Sequence, residues 1–240
     1  MVPETLLVIL FHDRTAIRQD SPPSPTLPGF FDTEVKHLSG ITFQLHDATG
    51  QRKYLTRDER DAFLKAAGKA GRQARTFCMT LAYTGSRVSE ALALTADRVD
   101  LAGGTIVFES LKKRRGGLYR AVPVPSAVLD ALDLVHGLRE AQRGRDEGRS
   151  VLLWPWGRAT AWRRVSEVMS MAGISGPQAS PKGLRHGFGV AAVQAGIPLN
   201  MVQKWLGHAQ LSTTAIYADA VGAEEQAIAE RMWSSGAGAA

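Results

Sequence analysis

Cysteine is almost absent from this sequence, since Cys78 is the single one among 240 residues. One thiol excludes an internal disulfide and any cysteine-rich zinc site. Crosslinks of that kind belong mainly to secreted proteins, so we expect a reducing, cytoplasmic setting.

Long apolar runs, phosphate-binding glycine loops and clustered carboxylates are missing too. The run Leu6–Phe11 is far shorter than the roughly 20 residues that span a bilayer, and it lacks the flanks of a secretory signal. Neither GxxxxGK[ST] nor GxGxxG occurs, so nucleotide-driven chemistry has no support. Without clustered carboxylates a metal-dependent nuclease also has little support. We therefore expect no membrane association, no cofactor and no metal site.

Basic residues are in excess, with a formal net charge of +6 and a pI near 9.7. This bias suits a polyanionic partner, although ribosomal and membrane-surface proteins share it. Hydrophobic residues make up 44% of the chain, which is ample for a core.

The chain divides into three parts by composition. The segment Ser21–Phe30 (SPPSPTLPGF) is rich in proline, which favours an extended linker. We expect an extended or partly disordered segment at 1–53, one globular domain at 54–233 and a flexible tail at 234–240.

Local patterns predict a mainly α fold with a small antiparallel β-sheet (α+β). Thr56 and Glu59 form a capping box at the start of the first helix, and Ser86 is a candidate cap for the third. The other predicted helices are Arg72–Tyr83, one starting at Ser126, one through Trp162 and Met169, Gly183–Gln194, Leu199–Leu206 and an amphipathic one at Gly222–Trp233. Thr105–Glu109 and Arg120–Val124 are predicted strands of a hairpin that turns at Gly116-Gly117. Val151–Trp154 fits one more short strand, and Arg139–Ser150 a solvated loop.

Four short motifs carry the chemistry. They are TGSRVSE around Arg87, LRHGF around Arg185, LGH ending at His208, and Tyr217. His208 follows Arg185 by 23 residues, and Tyr217 follows His208 by 9. These motifs and spacings resemble the catalytic domain of the tyrosine recombinase (phage integrase) family, over about 54–233. The resemblance implies the catalytic-domain fold of that family. It also implies a compact member that lacks a full core-binding domain, and such a protein would bind DNA weakly and in a salt-sensitive way.

The chemistry fits a phosphodiester, which is an anion that gains charge during attack. Arginine guanidinium groups placed around the non-bridging oxygens stabilise this charge and lower the activation barrier of the attack. Arg87 and Arg185 are the two candidates. A lone arginine is more often a surface or ion-paired residue, so the motifs around them decide. Tyr217 is the candidate nucleophile, because a phosphotyrosine link conserves bond energy. The resemblance implies that His208 donates a hydrogen bond to a non-bridging oxygen.

Lys182 is a departure from the family pattern, which most often has histidine three residues before this arginine. A desolvated lysine among arginines can act as a base, and otherwise it supplies a fixed positive charge. His186, next to Arg185, is interpreted as a buried support for the fold.

The basic hairpin between the two strands supplies the remaining candidates. The resemblance implies that a hairpin lysine protonates the departing 5′-oxygen, and Lys112 is favoured over Lys113. The neighbouring Lys113, Arg114, Arg115 and Arg120 are predicted to contact DNA phosphates.

The resemblance implies a site-specific recombinase that cuts and rejoins double-stranded DNA through a 3′-phosphotyrosine, without metal or ATP. It also implies a homotetramer on DNA, built from protomers that can be monomeric in solution, with the Gly222–Trp233 helix docked on a neighbour. An accessory DNA-binding protein could supply the remaining contacts with DNA. The alternatives are a type IB topoisomerase-like activity and an inactive or regulatory DNA-binding relative.

Overall fold

The computed structural model describes residues 45–110, 117–144, 148, 150–218 and 230. The helices are α1 (Arg57–Ala67), α2 (Arg72–Thr84), α3 (Val88–Leu92), α4 (Ser126–His136), α5 (Leu138–Arg143), α6 (Arg158–Met171), α7 (Pro181–Gln194), α8 (Leu199–Leu206) and α9 (Ser212–Ala215). The strands are β1 (Val99–Asp100), β2 (Thr105–Glu109) and β3 (Tyr119–Pro123), and a 3-10 turn covers Ala96–Arg98. The predicted class, mainly α with a small antiparallel sheet, is confirmed.

The sheet is antiparallel in the order β1-β2-β3, with Val107 opposite Ala121 at the centre of the hairpin. The third strand is not Val151–Trp154, as predicted, but β1, which pairs with the start of β2. Leu152 forms only an isolated bridge with Thr95. The segment turns inward instead, because the Trp154 ring is fully buried and its Nε1 donates to the Gln73 carbonyl at 3.1 Å.

The main core lies among α1, α2, α4, α6 and the sheet. Phe77 of α2 meets Trp154 edge to face, with ring centroids 5.1 Å apart. The predicted capping box at α1 is present: the Glu59 amide donates to Thr56 Oγ1 at 3.2 Å, and the Thr56 amide donates to Glu59 Oε2 at 2.9 Å. Arg139 to Arg143 belongs to α5 rather than to a loop, since Leu138 is buried and anchors that turn.

A second, smaller core joins α7, α8 and the residues after them. Its buried members include Val190, Val202, Leu206 and Tyr217. Leu45 is buried in the same cluster, so the packed structure already includes a residue ahead of the predicted boundary at 54. This second core holds the Tyr217 segment against α7.

The predicted helix Gly222–Trp233 lies outside the described residues, apart from Glu230. Among the helices that the structure describes, none combines the length and the apolar character needed to cross a bilayer.

Candidate active site

A cavity of about 570 Å³ opens where the start of α3, the start of α7 and the end of α8 meet. Five residues that the sequence predicted as catalytic line it: Arg87, Lys182, Arg185, His208 and Tyr217. The first and last of these are 130 positions apart in the chain. The fold therefore gathers two guanidinium groups, an ammonium, an imidazole and a phenol around one space.

Arg87 is the N-cap residue of α3, and its side chain is held by Glu90. Arg87 Nη1 donates to Glu90 Oε1 at 2.7 Å, and the Arg87 amide donates to Glu90 Oε2 at 2.9 Å. The predicted cap, Ser86, is wrong: its side chain is buried and accepts a hydrogen bond from the Thr84 hydroxyl at 3.0 Å. The N-cap position places Arg87 beside the free amides of the helix start, where an anion is favoured.

Arg120 is buried and contacts Glu90, the same residue that holds Arg87. Its Nη2 donates to Glu90 Oε2 at 2.6 Å, and its Nε donates to the Trp205 carbonyl at 2.7 Å. Only 7% of Arg120 and 1% of Glu90 are exposed. Burial and the ion pair argue against the phosphate contact predicted for Arg120, because the guanidinium is enclosed by the protein rather than presented at its surface.

The Glu90 carboxylate is thus shared by two arginines. Burial works to raise the pKa of Glu90, but the hydrogen bond from Arg120 and the charges of Arg120 and Arg87 outweigh it and hold that pKa below its usual value. Glu90 stays ionised at neutral pH and fixes both guanidinium groups.

Arg185 is buried between the ends of two helices. Its Nη1 donates to the Gly85 carbonyl at 2.5 Å, and its Nη2 donates to the Leu206 carbonyl at 2.7 Å. Both acceptors lie at helix C-termini, where the partial charge is negative. Burial, together with the charge of Arg87, lowers the pKa of Arg185 to about 10. The guanidinium therefore keeps its positive charge at neutral pH.

Tyr217 packs its ring into the second core and forms part of the cavity wall. Only 2% of the residue is exposed. The ring lies nearly parallel to that of His208, with centroids 6.2 Å apart and an interplanar angle of 16°. Burial raises the pKa of Tyr217, while the charges of Arg185 and Arg87 act in the opposite direction. The phenol is thus protonated at neutral pH in the free protein.

His186 contacts the hydroxyl of Tyr217, which the sequence interpretation did not foresee. Its Nδ1 lies 3.1 Å from the Tyr217 oxygen. Burial, then the charges of Lys182 and Arg185, lower the pKa of His186 to about 4, so the ring is neutral at pH 7. His186 and Gly189 are three residues apart on α7, so both lie on the helix face that meets Tyr217.

His208 follows Gly207, whose left-handed backbone ends α8. His208 Nδ1 lies 2.9 Å from the Thr214 hydroxyl. Burial and the nearby arginines, Arg185 first, lower the pKa of His208 to about 3. If the Thr214 hydroxyl donates to Nδ1, the neutral ring carries its proton on Nε2, where it is free to donate.

Lys182 lies in the first turn of α7, whose N-cap is Ser180. The Gly183 amide donates to Ser180 Oγ at 3.1 Å. Lys182 itself is exposed, in contrast to Arg185 and His186 deeper in the same helix. It contributes positive charge at the rim of the cavity.

The predicted hairpin residues Lys112, Lys113, Arg114 and Arg115 lie outside the described residues. Ser110, directly after β2, lines the cavity, as do Arg158 and the half-exposed Trp162 of α6. The sequence did not mark these three as site residues, because an isolated serine, arginine or tryptophan has no motif around it. In the described part of the chain, no three His, Cys, Asp or Glu side chains gather as metal ligands.

Comparison with known proteins gives a consistent result. Residues 53–223 match the model of the phage integrase family. Tyrosine recombinase XerD of Mycobacterium leprae is 33% identical over 184 residues, which cover 69% of this chain and 56% of that protein. Tyrosine recombinase XerA of Pyrococcus furiosus is 30% identical over 174 residues, covering 69% of this chain and 56% of the relative. The chain thus spans about half the length of the curated relatives it matches.

Solved structures agree in fold. The crystal structure of XerA recombinase superposes with a TM-score of 0.62 at 26% identity, covering 75% of this chain and 64% of that one. The XerH recombinase bound to its difH substrate in a pre-cleavage complex gives a TM-score of 0.60 at 23% identity, over 78% of this chain and 59% of that one. At 23% identity, the likeness to XerH shows a shared fold.

Proposed function

Because the chain belongs to the phage integrase family of tyrosine recombinases, we propose that it cuts and rejoins double-stranded DNA at specific sites. Tyr217 is the proposed nucleophile, and a 3′-phosphotyrosine is the proposed intermediate. The single observation that carries this proposal is the cavity where the Tyr217 phenol meets Arg87, Arg185 and His208.

The two arginines suit the non-bridging oxygens of the scissile phosphate. Each guanidinium is already fixed by the protein: Arg87 by Glu90, and Arg185 by the Gly85 and Leu206 carbonyls. Groups fixed before the reaction need no reorganisation when charge develops on the oxygens. In this proposal Arg87 and Arg185 bind the phosphate, and His208 Nε2 donates a further hydrogen bond.

The reaction itself is a transesterification. The Tyr217 oxygen forms a bond to phosphorus as the bond from phosphorus to the 5′-oxygen breaks, and the freed 5′-hydroxyl of a partner strand reverses the step. A phosphotyrosine conserves the ester bond, so rejoining needs no energy from ATP. Lys112, or else Lys113, is proposed to protonate the departing 5′-oxygen.

Assembly on DNA follows from the same proposal. A recombinase must hold two DNA sites at once, and we propose four protomers on two sites, with an accessory DNA-binding protein as a further partner. The net charge of +6 supports attraction to DNA. Relaxation of a supercoiled plasmid by single protomers, without strand exchange, would instead indicate a topoisomerase-like activity.

Covalent trapping on DNA tests the proposal. The full chain is incubated with a library of nicked duplexes of randomised sequence, in which the short cleaved piece diffuses away, and detergent-resistant adducts are recovered and sequenced. We expect the natural chain and Tyr83→Phe to give adducts enriched in one sequence, and Tyr217→Phe to give none. Tyr83 is the matched control because it packs on Arg60 away from the cavity lining. DNA binding without any adduct would favour an inactive, regulatory relative.

A further inference from the structure

The hydroxyl of Tyr217 is already hydrogen-bonded in the free protein, and its partner is His186. The two groups lie 3.1 Å apart, within the range of a hydrogen bond. The contact is buried and joins α7 to the segment after α9. A nucleophilic hydroxyl bound to an imidazole nitrogen is the arrangement in which a base activates a nucleophile.

Position along α7 distinguishes His186 from Lys182. The two residues are four apart, so they lie on one face of the helix in successive turns. Lys182 is exposed at the cavity rim, whereas His186 is buried one turn deeper, level with the phenol. The His186 imidazole therefore lies next to the Tyr217 hydroxyl, whose proton has to leave during attack.

The direction of this hydrogen bond follows from the basicity of the two atoms. An imidazole nitrogen is a far stronger base than a phenol oxygen, so the hydroxyl donates and Nδ1 accepts. The proton of the neutral ring then sits on Nε2. That atom is buried and has no hydrogen-bond partner in the described part of the chain, so the link to Tyr217 is what fixes the ring by hydrogen bonding.

We propose that His186 Nδ1 accepts the proton of Tyr217 when the phenol attacks the phosphate. This inference rests on the proposed strand cleavage. The Tyr217 oxygen forms the bond to phosphorus, its proton passes to Nδ1, and the bond from phosphorus to the 5′-oxygen breaks. On rejoining, the 5′-hydroxyl attacks phosphorus, and the departing phenol takes the proton back from Nδ1.

The charges around His186 couple this transfer to bound DNA. Burial and the charges of Lys182, Arg185 and Lys53 disfavour the imidazolium, so the ring is neutral and a weak base in the free protein. A phosphate in the cavity adds negative charge close to these groups and offsets their repulsion. The proton transfer is therefore favoured when the cavity holds its substrate. Lys182 acts here as a fixed charge.

A pH profile of strand cleavage separates the two candidate bases. Single-turnover adduct formation is measured on a trapped sequence for the natural chain, His186→Gln and Lys182→Gln. Glutamine keeps a similar volume but cannot take up a proton. We expect His186→Gln to be slower by about 10²- to 10³-fold at neutral pH, with a rate that rises as hydroxide concentration rises. Lys182→Gln should keep the shape of the natural profile.

Two further measurements test whether His186 has only a structural role. A substrate whose bridging 5′-oxygen is replaced by sulfur has a leaving group that needs no protonation. The defect of His186→Gln should persist on that substrate, because the missing base acts on the nucleophile. Added imidazole should raise the rate of His186→Ala, which a loss of packing alone would not permit.

Three results would count against these proposals. A natural pH profile in His186→Gln, with hydroxide dependence in Lys182→Gln, would assign the base to Lys182 and overturn the inference. An absence of rescue by imidazole in a folded, DNA-binding His186→Ala would also count against it. Failure of the natural chain to form any adduct would refute the proposed cleavage itself, which is a separate result.

Discussion

Gly189 leaves the space that the ring of Tyr217 fills. A β-carbon at Gly189 would lie 2.6 Å from Cε2 and Cζ of that ring, closer than two carbon atoms can approach without a shift. The helix face that carries His186 is thus shaped to receive the phenol. Helix α7 therefore forms the surface on which the ring of the candidate nucleophile packs.

Gly189→Ala should therefore destabilise the protein by about 1–3 kcal/mol through overpacking. In a Tyr217→Ala background the ring is gone, and the same change should be neutral or stabilising by up to about 1 kcal/mol, because alanine favours a helix interior over glycine. Urea unfolding of the four proteins measures both values. An equal cost in the two backgrounds would show that the ring is not seated on Gly189.

Glu90→Gln should cost about 3 kcal/mol or more, since it leaves the buried guanidinium of Arg120 without its counter-charge. It should also slow adduct formation, because Arg87 loses the carboxylate that holds it. The matched control is Glu167→Gln on α6, where an exposed carboxylate pairs with Arg164 and a change within about 0.5 kcal/mol is expected. Urea midpoints and adduct rates for both variants would test the difference. Equal small effects would contradict a positioning role for Glu90.

Arg120 and Arg158 should differ in how they affect DNA binding. Arg120→Met is expected to lower stability while leaving the salt dependence of binding unchanged, because Arg120 is buried against Glu90. Arg158→Met removes an exposed charge that lines the cavity, and should reduce the slope of log affinity against log salt by about 0.9. Binding titrations at several salt concentrations measure the slopes. A reduced slope for a folded Arg120→Met would restore the phosphate contact that the sequence predicted.

Mild acid should destabilise the folded protein through its buried histidines. Burial lowers the pKa values of His186 and His208 to about 4 and about 3, below the roughly 6.5 of an unfolded histidine. The unfolded chain then binds more protons, so the free energy of unfolding falls as pH drops below about 6.5. The carboxylate of Glu90 has a lowered pKa and loses its contribution only at more acidic pH.

The window from about pH 7 to about pH 5 therefore isolates the histidines. We expect the urea midpoint of the natural chain to fall across this window, and that of His208→Gln to fall less. A variant that retains the whole drop would show that His208 is not held neutral by the fold.

Four of the residues that line the cavity could be predicted because motifs with fixed spacings mark them. Arg87, Arg185, His208 and Tyr217 each stand in a recognisable motif, and all four line one space. The resemblance, rather than periodicity, made that convergence predictable. Local signals also gave the capping box at α1 and the β2–β3 hairpin.

Other features left no local pattern. The bond between Arg120 and Glu90 joins residues 30 positions apart, and a buried arginine looks like an exposed one in the sequence. Strand β1 has two residues, which is too short for an alternating pattern. The role of His186 depends on the orientation of one ring toward Tyr217, which only the packing of α7 against the second core determines.

The site of covalent attachment tests the central claim most directly. Adducts of the natural chain are digested with trypsin and nuclease, and mass spectrometry locates the residual nucleotide, while enzymatic labelling identifies the end of the released strand. We predict a nucleotide on Tyr217, joined through a 3′-phosphate, and a released strand that carries a free 5′-hydroxyl. A nucleotide on any other residue, or a link through a 5′-phosphate, would contradict the account.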